Sequence, residues 1–213
     1  LAKKENTKLL LFPSPNTPVG VPVREDKIRE ILEVFPGIVF LDEAYYEFYG
    51  KTSIGLLKEF DNLIISRTLS KAWGLANLRV GYAIASADAI NAMRKIKLPY
   101  NVNGLTKQLA FQAVSSKQES METKVELVKQ ERTRLIQSLK AFGLTVFPSV
   151  TNFVLIKLPK KFVSKKIQQQ IAEKGIIVRD RSSLPLLDNC IRVTVGTPEE
   201  NNSFLAALGD VLK

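Results

Sequence analysis

The sequence contains no histidine and a single cysteine, Cys190. Without histidine there is no Ser-His-Asp or Cys-His catalysis, no imidazole proton shuttle and no histidine metal ligand. One cysteine excludes an internal disulfide framework and any multi-cysteine zinc site, which fits a reducing, cytoplasmic compartment. No apolar run approaches the roughly 18 residues that cross a bilayer, so no membrane partner is expected. The opening Leu1-Ala2-Lys3-Lys4-Glu5-Asn6-Thr7-Lys8 has neither an initiator Met nor the apolar stretch of a signal peptide. It runs directly into a strand-like segment, as the later part of a longer polypeptide would. Internal repeats and low-complexity text are missing as well.

What remains is an ordinary globular composition: 213 residues, 45% hydrophobic and 24% charged. That is one large or two small domains, long enough to bury a core. The 31 Lys+Arg against 21 Asp+Glu leave a formal net charge of +10. These cations are spread along the chain, and the densest groups, Lys160-Lys161 and Lys165-Lys166, fall in a polar stretch with helical spacing. That is a solvated face, not the basic stripe of a nucleic-acid binder, so no nucleic-acid partner is expected. A small anionic ligand is a more economical target for a few of them.

Leu9-Leu10-Leu11-Phe12 reads as a strand stopped by the rigid turn Pro13-Ser14-Pro15-Asn16-Thr17-Pro18-Val19-Gly20. Ile28, Ile31, Leu32 and Phe35 give the helical i, i+3, i+4, i+7 pattern within residues 24–35. Three further strands are expected at 38–41, 63–66 and 80–85. This alternation argues an α/β sheet with mostly parallel strands, whose ligands sit outside the strands' carboxyl ends. Asp42 and the Arg67–Lys71 segment fall at such ends. From about Ser116 to Phe142 a polar, helix-forming stretch predicts a linking helix. Beyond it, strands at 144–147, 152–156, 176–179 and 190–195 and helices at 162–174 and 201–213 make a small α+β unit, with Gly175 placed to cap the first of those helices. The expected domains are 1–115 and 116–213.

Lys71 stands just past an apolar strand, where a lysine can be partly desolvated and so suited to Schiff-base chemistry. Thr68 and Ser70 beside it and Arg79 further on are the hydroxyls and guanidinium that hold a phosphate. Asp42 closes an apolar strand, where a carboxylate is costly to bury without a cation or donor. It reads either as a turn or cap residue or as the counter-charge of a protonated ring nitrogen. Tyr45 offers a phenol to the same place, and Asn16 an amide held between prolines. Trp73 and Phe153 read as packing, and Cys190 as a small buried hydrophobe.

Three segments in fixed order carry a resemblance: Ser14-Pro15-Asn16-Thr17-Pro18-Val19-Gly20; Asp42-Glu43-Ala44-Tyr45; and Ser66-Arg67-Thr68-Leu69-Ser70-Lys71 with Arg79-Val80-Gly81-Tyr82. Together they resemble the fold-type I pyridoxal-phosphate aminotransferases of class I and II, over essentially the whole chain. The wording at 68–79 and the tail Ile177-Val178-Arg179-Asp180 with Ile191-Arg192-Val193-Thr194-Val195-Gly196-Thr197-Pro198 resemble the histidinol-phosphate branch in particular. Asn77 departs from that branch, which usually has Gly there.

The resemblance implies the C-terminal half of the large, mostly parallel-sheet cofactor domain (1–115), then the linking helix and small domain (116–213). It implies pyridoxal 5'-phosphate as cofactor. Lys71 would form the Schiff base and shuttle the proton, Asp42 would pair with the ring nitrogen, and Asn16 and Tyr45 would bond the ring oxygen. Thr68, Ser70 and Arg79 would hold the cofactor phosphate, Arg192 the substrate α-carboxylate, and Arg179 the substrate phosphate. The implied reaction is amino-group transfer between histidinol phosphate and 2-oxoglutarate in histidine biosynthesis, by a homodimer and without a metal. The alternatives are an aromatic amino-acid aminotransferase or phospho-amino-acid decarboxylase of the same fold, or an inactive scaffold. Relatives of this kind also carry N-terminal strands, a cofactor-phosphate helix, a ring-stacking aromatic and a tyrosine reaching the neighbouring subunit. Their absence from the 213 residues implies weak cofactor binding or none, and doubtful activity, for this chain alone.

Overall fold

A computed structural model describes residues 6–213; the opening residues 1–5 lie outside the described residues. The chain divides into two compact units. One holds the residues up to Asn16 together with Pro22–Thr123, the other Thr17–Val21 together with Lys124–Lys213.

In the first unit, β1 (Leu9–Pro13), β2 (Ile38–Asp42), β3 (Leu63–Thr68) and β4 (Gly81–Ala85) lie side by side in chain order. The first three are parallel and β4 runs antiparallel to β3, so the expected mostly parallel sheet is present with a reversed last strand. Helix α1 (Glu25–Val34) connects β1 to β2 and buries Ile28 and Leu32 against the sheet. Glu25 and Asp26 in its first turn complement the helix dipole.

Strand alternation decides what each face carries. Val39 and Leu41 of β2 and Leu63 and Ile65 of β3 point toward α1 and form its core with Phe35 and Leu56. One step further along the same face come Glu43 and Arg67. The opposite face of the strand ends carries Asp42, Ser66 and Thr68. A one-residue change of register would exchange the two sets.

The short helix α2 (Tyr46–Tyr49) follows β2. Two helices in this unit were passed over in the sequence: α3 (Ala87–Ile96) and α4 (Gly104–Ser116). The apolar residues of α4 form no stripe, since it buries Thr106 and Ala110 while Leu105 and Phe111 are exposed.

Helix α5 (Gln118–Ala141) is the expected long helix; its first residues belong to the first unit and the rest to the second. In the second unit, β5 (Thr145–Val146), β6 (Phe153–Lys157), β7 (Arg179–Asp180) and β8 (Cys190–Thr194) form an antiparallel sheet in the order β5-β6-β8-β7. Val154, Ile156, Ile191 and Val193 face Leu135 and Leu139 of α5, Ile167 and Ile171 of α6 (Ser164–Glu173), and Phe204 and Leu208 of α7 (Pro198–Val211). The other sheet face packs Leu155, Leu187 and Cys190 with Val19 and Phe147. Cys190 is fully buried, and that burial pushes its thiol up from the ordinary value.

One expected strand is corrected. Residues 176–178 are not a strand; β7 begins only at Arg179. Gly175 ends α6 at φ +82°, its N–H bonds Ala172 O, and the Ile176 N–H reaches back to Ile171 O. The apolar run is therefore consumed in a helix stop, which satisfies the last carbonyls of α6. Helix α7 also begins earlier than its apolar spacing predicts. Thr197 and Glu200 form a capping box around Pro198, which meets the helix's orphan donors before the apolar face starts.

Candidate active site

Asp42 ends β2 half-buried, directly opposite Ser66 in the parallel register. Its Oδ1 accepts from Ser66 Oγ at 3.0 Å and from the Ala44 N–H at 3.1 Å. Among the described residues Oδ2 has no partner, so one carboxylate oxygen is held and the other is free. The Ser14 N–H bonds Asp42 O at 2.9 Å, which fixes the segment containing Asn16 beside the end of β2. Asn16 itself is half-buried.

Tyr45 is 7% exposed, and the Lys71 Nζ lies 5.4 Å from its ring centroid. This ties the turn after β2 to the loop after β3. Lys71 is exposed and has no carboxylate within ion-pair distance among the described residues. Its loop is closed by the Leu69 N–H on Val80 O and the Leu75 N–H on Leu69 O, at 3.1 and 3.0 Å. Thr68 Oγ1 lies 2.9 Å from Ser70 Oγ and accepts from the Ser70 N–H at 3.1 Å. Arg79 adopts a left-handed conformation at φ +53°, two residues before the Cα partner of Thr68, which is Gly81. Its Nη1 bonds Ala76 O and the side chain is exposed, with no acid beside it among the described residues.

Behind this group lie residues the sequence reading passed over. Glu43 is 2% exposed and accepts from the Ser53 N–H at 2.7 Å and from the Thr52 hydroxyl. Arg67 donates to it through Nε and Nη2 at 3.1 and 2.9 Å, and its guanidinium lies 3.7 Å from the centroid of the Tyr46 ring. Burial pushes the Tyr46 phenol up to about 12. Glu47 is largely buried with Oε2 unpartnered, and burial pushes its carboxyl up to about 7 despite the Trp73 indole and the Arg67 charge nearby. The available signal was alternation: a lone arginine in an apolar strand, and an acid one step past Asp42.

In the second unit, Arg179 and Arg192 are Cα partners across β7 and β8. Arg192 is half-buried, 4.9 Å from the centroid of the Phe153 ring, and donates from Nη1 to Thr17 Oγ1 at 2.9 Å. Arg179 is exposed. Phe153 is packing, as read, and also the surface under a guanidinium. Like charges directly opposite on a sheet repel. An anion between them would relieve that.

The donors present fit a ring cofactor bearing a phosphate: a carboxylate with one free oxygen, an amine without an acid partner, a hydroxyl pair with a backbone N–H, and an exposed guanidinium. No metal-ligand cluster occurs among the described residues, and no helix there is long and apolar enough to cross a membrane.

Residues 1–208 match the family profile of aminotransferase class I and II. The histidinol-phosphate aminotransferase of Thermoanaerobacter pseudethanolicus is 39% identical over 211 residues, covering 99% of this chain and 59% of that protein. The chain thus spans about three fifths of the length of such curated relatives. The crystal structure of the histidinol-phosphate aminotransferase from Clostridium acetobutylicum matches with a TM-score of 0.89 at 26% identity, covering 96% of this chain and 64% of that one. That from Sinorhizobium meliloti, in complex with pyridoxal-5'-phosphate, matches with a TM-score of 0.85 at 26% identity, covering 98% and 58%.

Proposed function

Since the chain belongs to the class I and II aminotransferase family, whose cofactor is pyridoxal phosphate, we propose that it carries the lysine-bearing part of an aminotransferase acting on histidinol phosphate and 2-oxoglutarate. The observation that carries this is the convergence of Lys71 and the Asp42–Tyr45 turn, with the Lys71 amine against the Tyr45 ring and one Asp42 oxygen unclaimed.

Pyridoxal phosphate, when bound, supplies an electron-withdrawing ring through which an amino group can be exchanged. Asp42 would hold a proton on the ring nitrogen with its free oxygen, since Ser66 and Ala44 already orient the other. Asn16 and Tyr45 would bond the ring oxygen. Thr68, Ser70 and Arg79 would bind the phosphate. Lys71 would anchor the cofactor through its amine and afterwards move a proton at that nitrogen. Arg192 would clamp the substrate carboxylate in the two-point manner of guanidinium, and Arg179 the substrate phosphate.

We assign residues 1–115 to the large cofactor domain and 116–213 to the linking helix and small domain. We further assign the protein to the cytoplasm as a homodimer, because biosynthesis of a soluble amino acid and a lone buried thiol fit that compartment.

The test uses the natural gene product titrated with pyridoxal phosphate. A stoichiometric visible absorption band that disappears in Lys71→Ala supports the reading. A band that survives in that variant, or none in the unsubstituted protein, refutes it.

A further inference from the structure

The ends of β2 and β3 present two faces. Asp42, Ser66 and Thr68 share one. Glu43 and Arg67 share the other, where Arg67 makes a two-donor contact to Glu43 Oε2 and bonds Thr52 Oγ1 at 2.6 Å. The pair is deeply buried, with side-chain exposures of 10% for Arg67 and 3% for Glu43. Thr52, Ser53 and Arg67 surround the carboxylate, and Tyr46 stacks under the guanidinium. Packed apolar side chains often stabilise a core at least as well as such a pair, so stability alone is a weak reason for it.

Arg67 sits between two residues of the candidate site in sequence. Ser66 before it donates to Asp42, and Thr68 after it lies against Ser70. Glu43 immediately follows Asp42, and its N–H continues the ladder to Ser66 O at 2.9 Å. The Arg67–Glu43 pair therefore ties together, from behind, the two strand ends whose front faces carry the ring-nitrogen acid and the phosphate hydroxyls.

We propose that Arg67 is a positioning residue that, through Glu43, sets the spacing between Asp42 and the Thr68–Lys71 segment to the length of one phosphorylated pyridine ligand. The inference rests on the functional reading above. A rigid ligand held at both ends demands placement within about half an ångström, which the last rung of a backbone ladder does not ensure alone. A two-point guanidinium contact supplies the missing restraint, and a lysine, a single point charge, does not.

The experiment compares Arg67→Met, Arg67→Lys and Glu43→Gln with the unsubstituted natural gene product. It measures the Kd for pyridoxal phosphate, the pH midpoint of the Lys71-dependent visible band, and Tm without cofactor. Arg67→Met is expected to raise Kd about tenfold or more and to move the midpoint, with Arg67→Lys recovering only part of either and Glu43→Gln following the same direction. Should Arg67→Met fail to fold, Arg67→Lys carries the comparison, because it keeps the buried charge. A lowered Tm with Kd within twofold and an unmoved midpoint overturns the inference while leaving the functional reading intact. Absence of any Lys71-dependent band in the unsubstituted protein overturns both.

Discussion

Glu47 offers a perturbation whose sign and size follow from its surroundings. Its carboxyl is pushed up to about 7, first by burial, with Glu43 adding to the rise and Trp73 and Arg67 opposing it. In the unfolded chain the same group titrates at its ordinary value of 4.5. The folded state thus holds a proton that the unfolded state has already released between those two pH values. Below 4.5 both states are neutral and nothing is lost; as pH rises through 7, stability falls and then levels off. The gap of about 2.5 pKa units corresponds to about 3 kcal/mol as an upper figure for this partly solvated group. The unpartnered Oε2 agrees with this, because a neutral acid tolerates burial without a donor far better than a carboxylate. Glu47→Gln keeps the shape and removes the titration. Urea unfolding of both proteins at pH 5, 6, 7 and 8, followed by circular dichroism, isolates the group as a difference. The variant should lie within about 1 kcal/mol of the parent at pH 5 and exceed it by up to about 3 kcal/mol at pH 8. Parallel pH profiles would refute the reasoning.

Two further outcomes are expected. Arg179→Ala should raise KM for the phosphorylated substrate more than for glutamate, measured as separate half-reactions, because its partner Arg192 is left for the carboxylate; equal effects would remove Arg179 from the phosphate. Thr197→Ala removes the hydroxyl that accepts from the Glu200 N–H and breaks the capping box of α7, lowering stability by about 1 kcal/mol in urea titration, and Thr197→Ser should restore most of it.

The candidate site was legible to the extent that it is linear. Lys71 and its neighbouring hydroxyls follow a strand in a short stretch of text, and Asp42 ends a strand whose apolar residues are contiguous. The order of the three segments then pointed to the family. Ser66 as the donor to Asp42, and Arg67 as the partner of Glu43, depend on the parallel pairing of β2 with β3. Nothing within either segment states that register. The Schellman-like stop at Gly175–Ile176 shows the same limit. An apolar triplet suits a strand or a helix stop equally, and the reach of the Ile176 N–H to Ile171 O selects between them.

By itself, the amino-acid sequence determined the chemistry available to this protein: no imidazole catalysis, an amine and an acid at strand ends, and apolar periodicities that call for an α/β sheet and a small α+β unit. Those are consequences of side-chain type and local spacing, which a linear text records completely. Which face each charged residue occupies was decided only in three dimensions. A side chain's neighbours across a sheet are set by register and strand direction, so the same pairing that places Asp42 toward a ligand places Glu43 and Arg67 out of water.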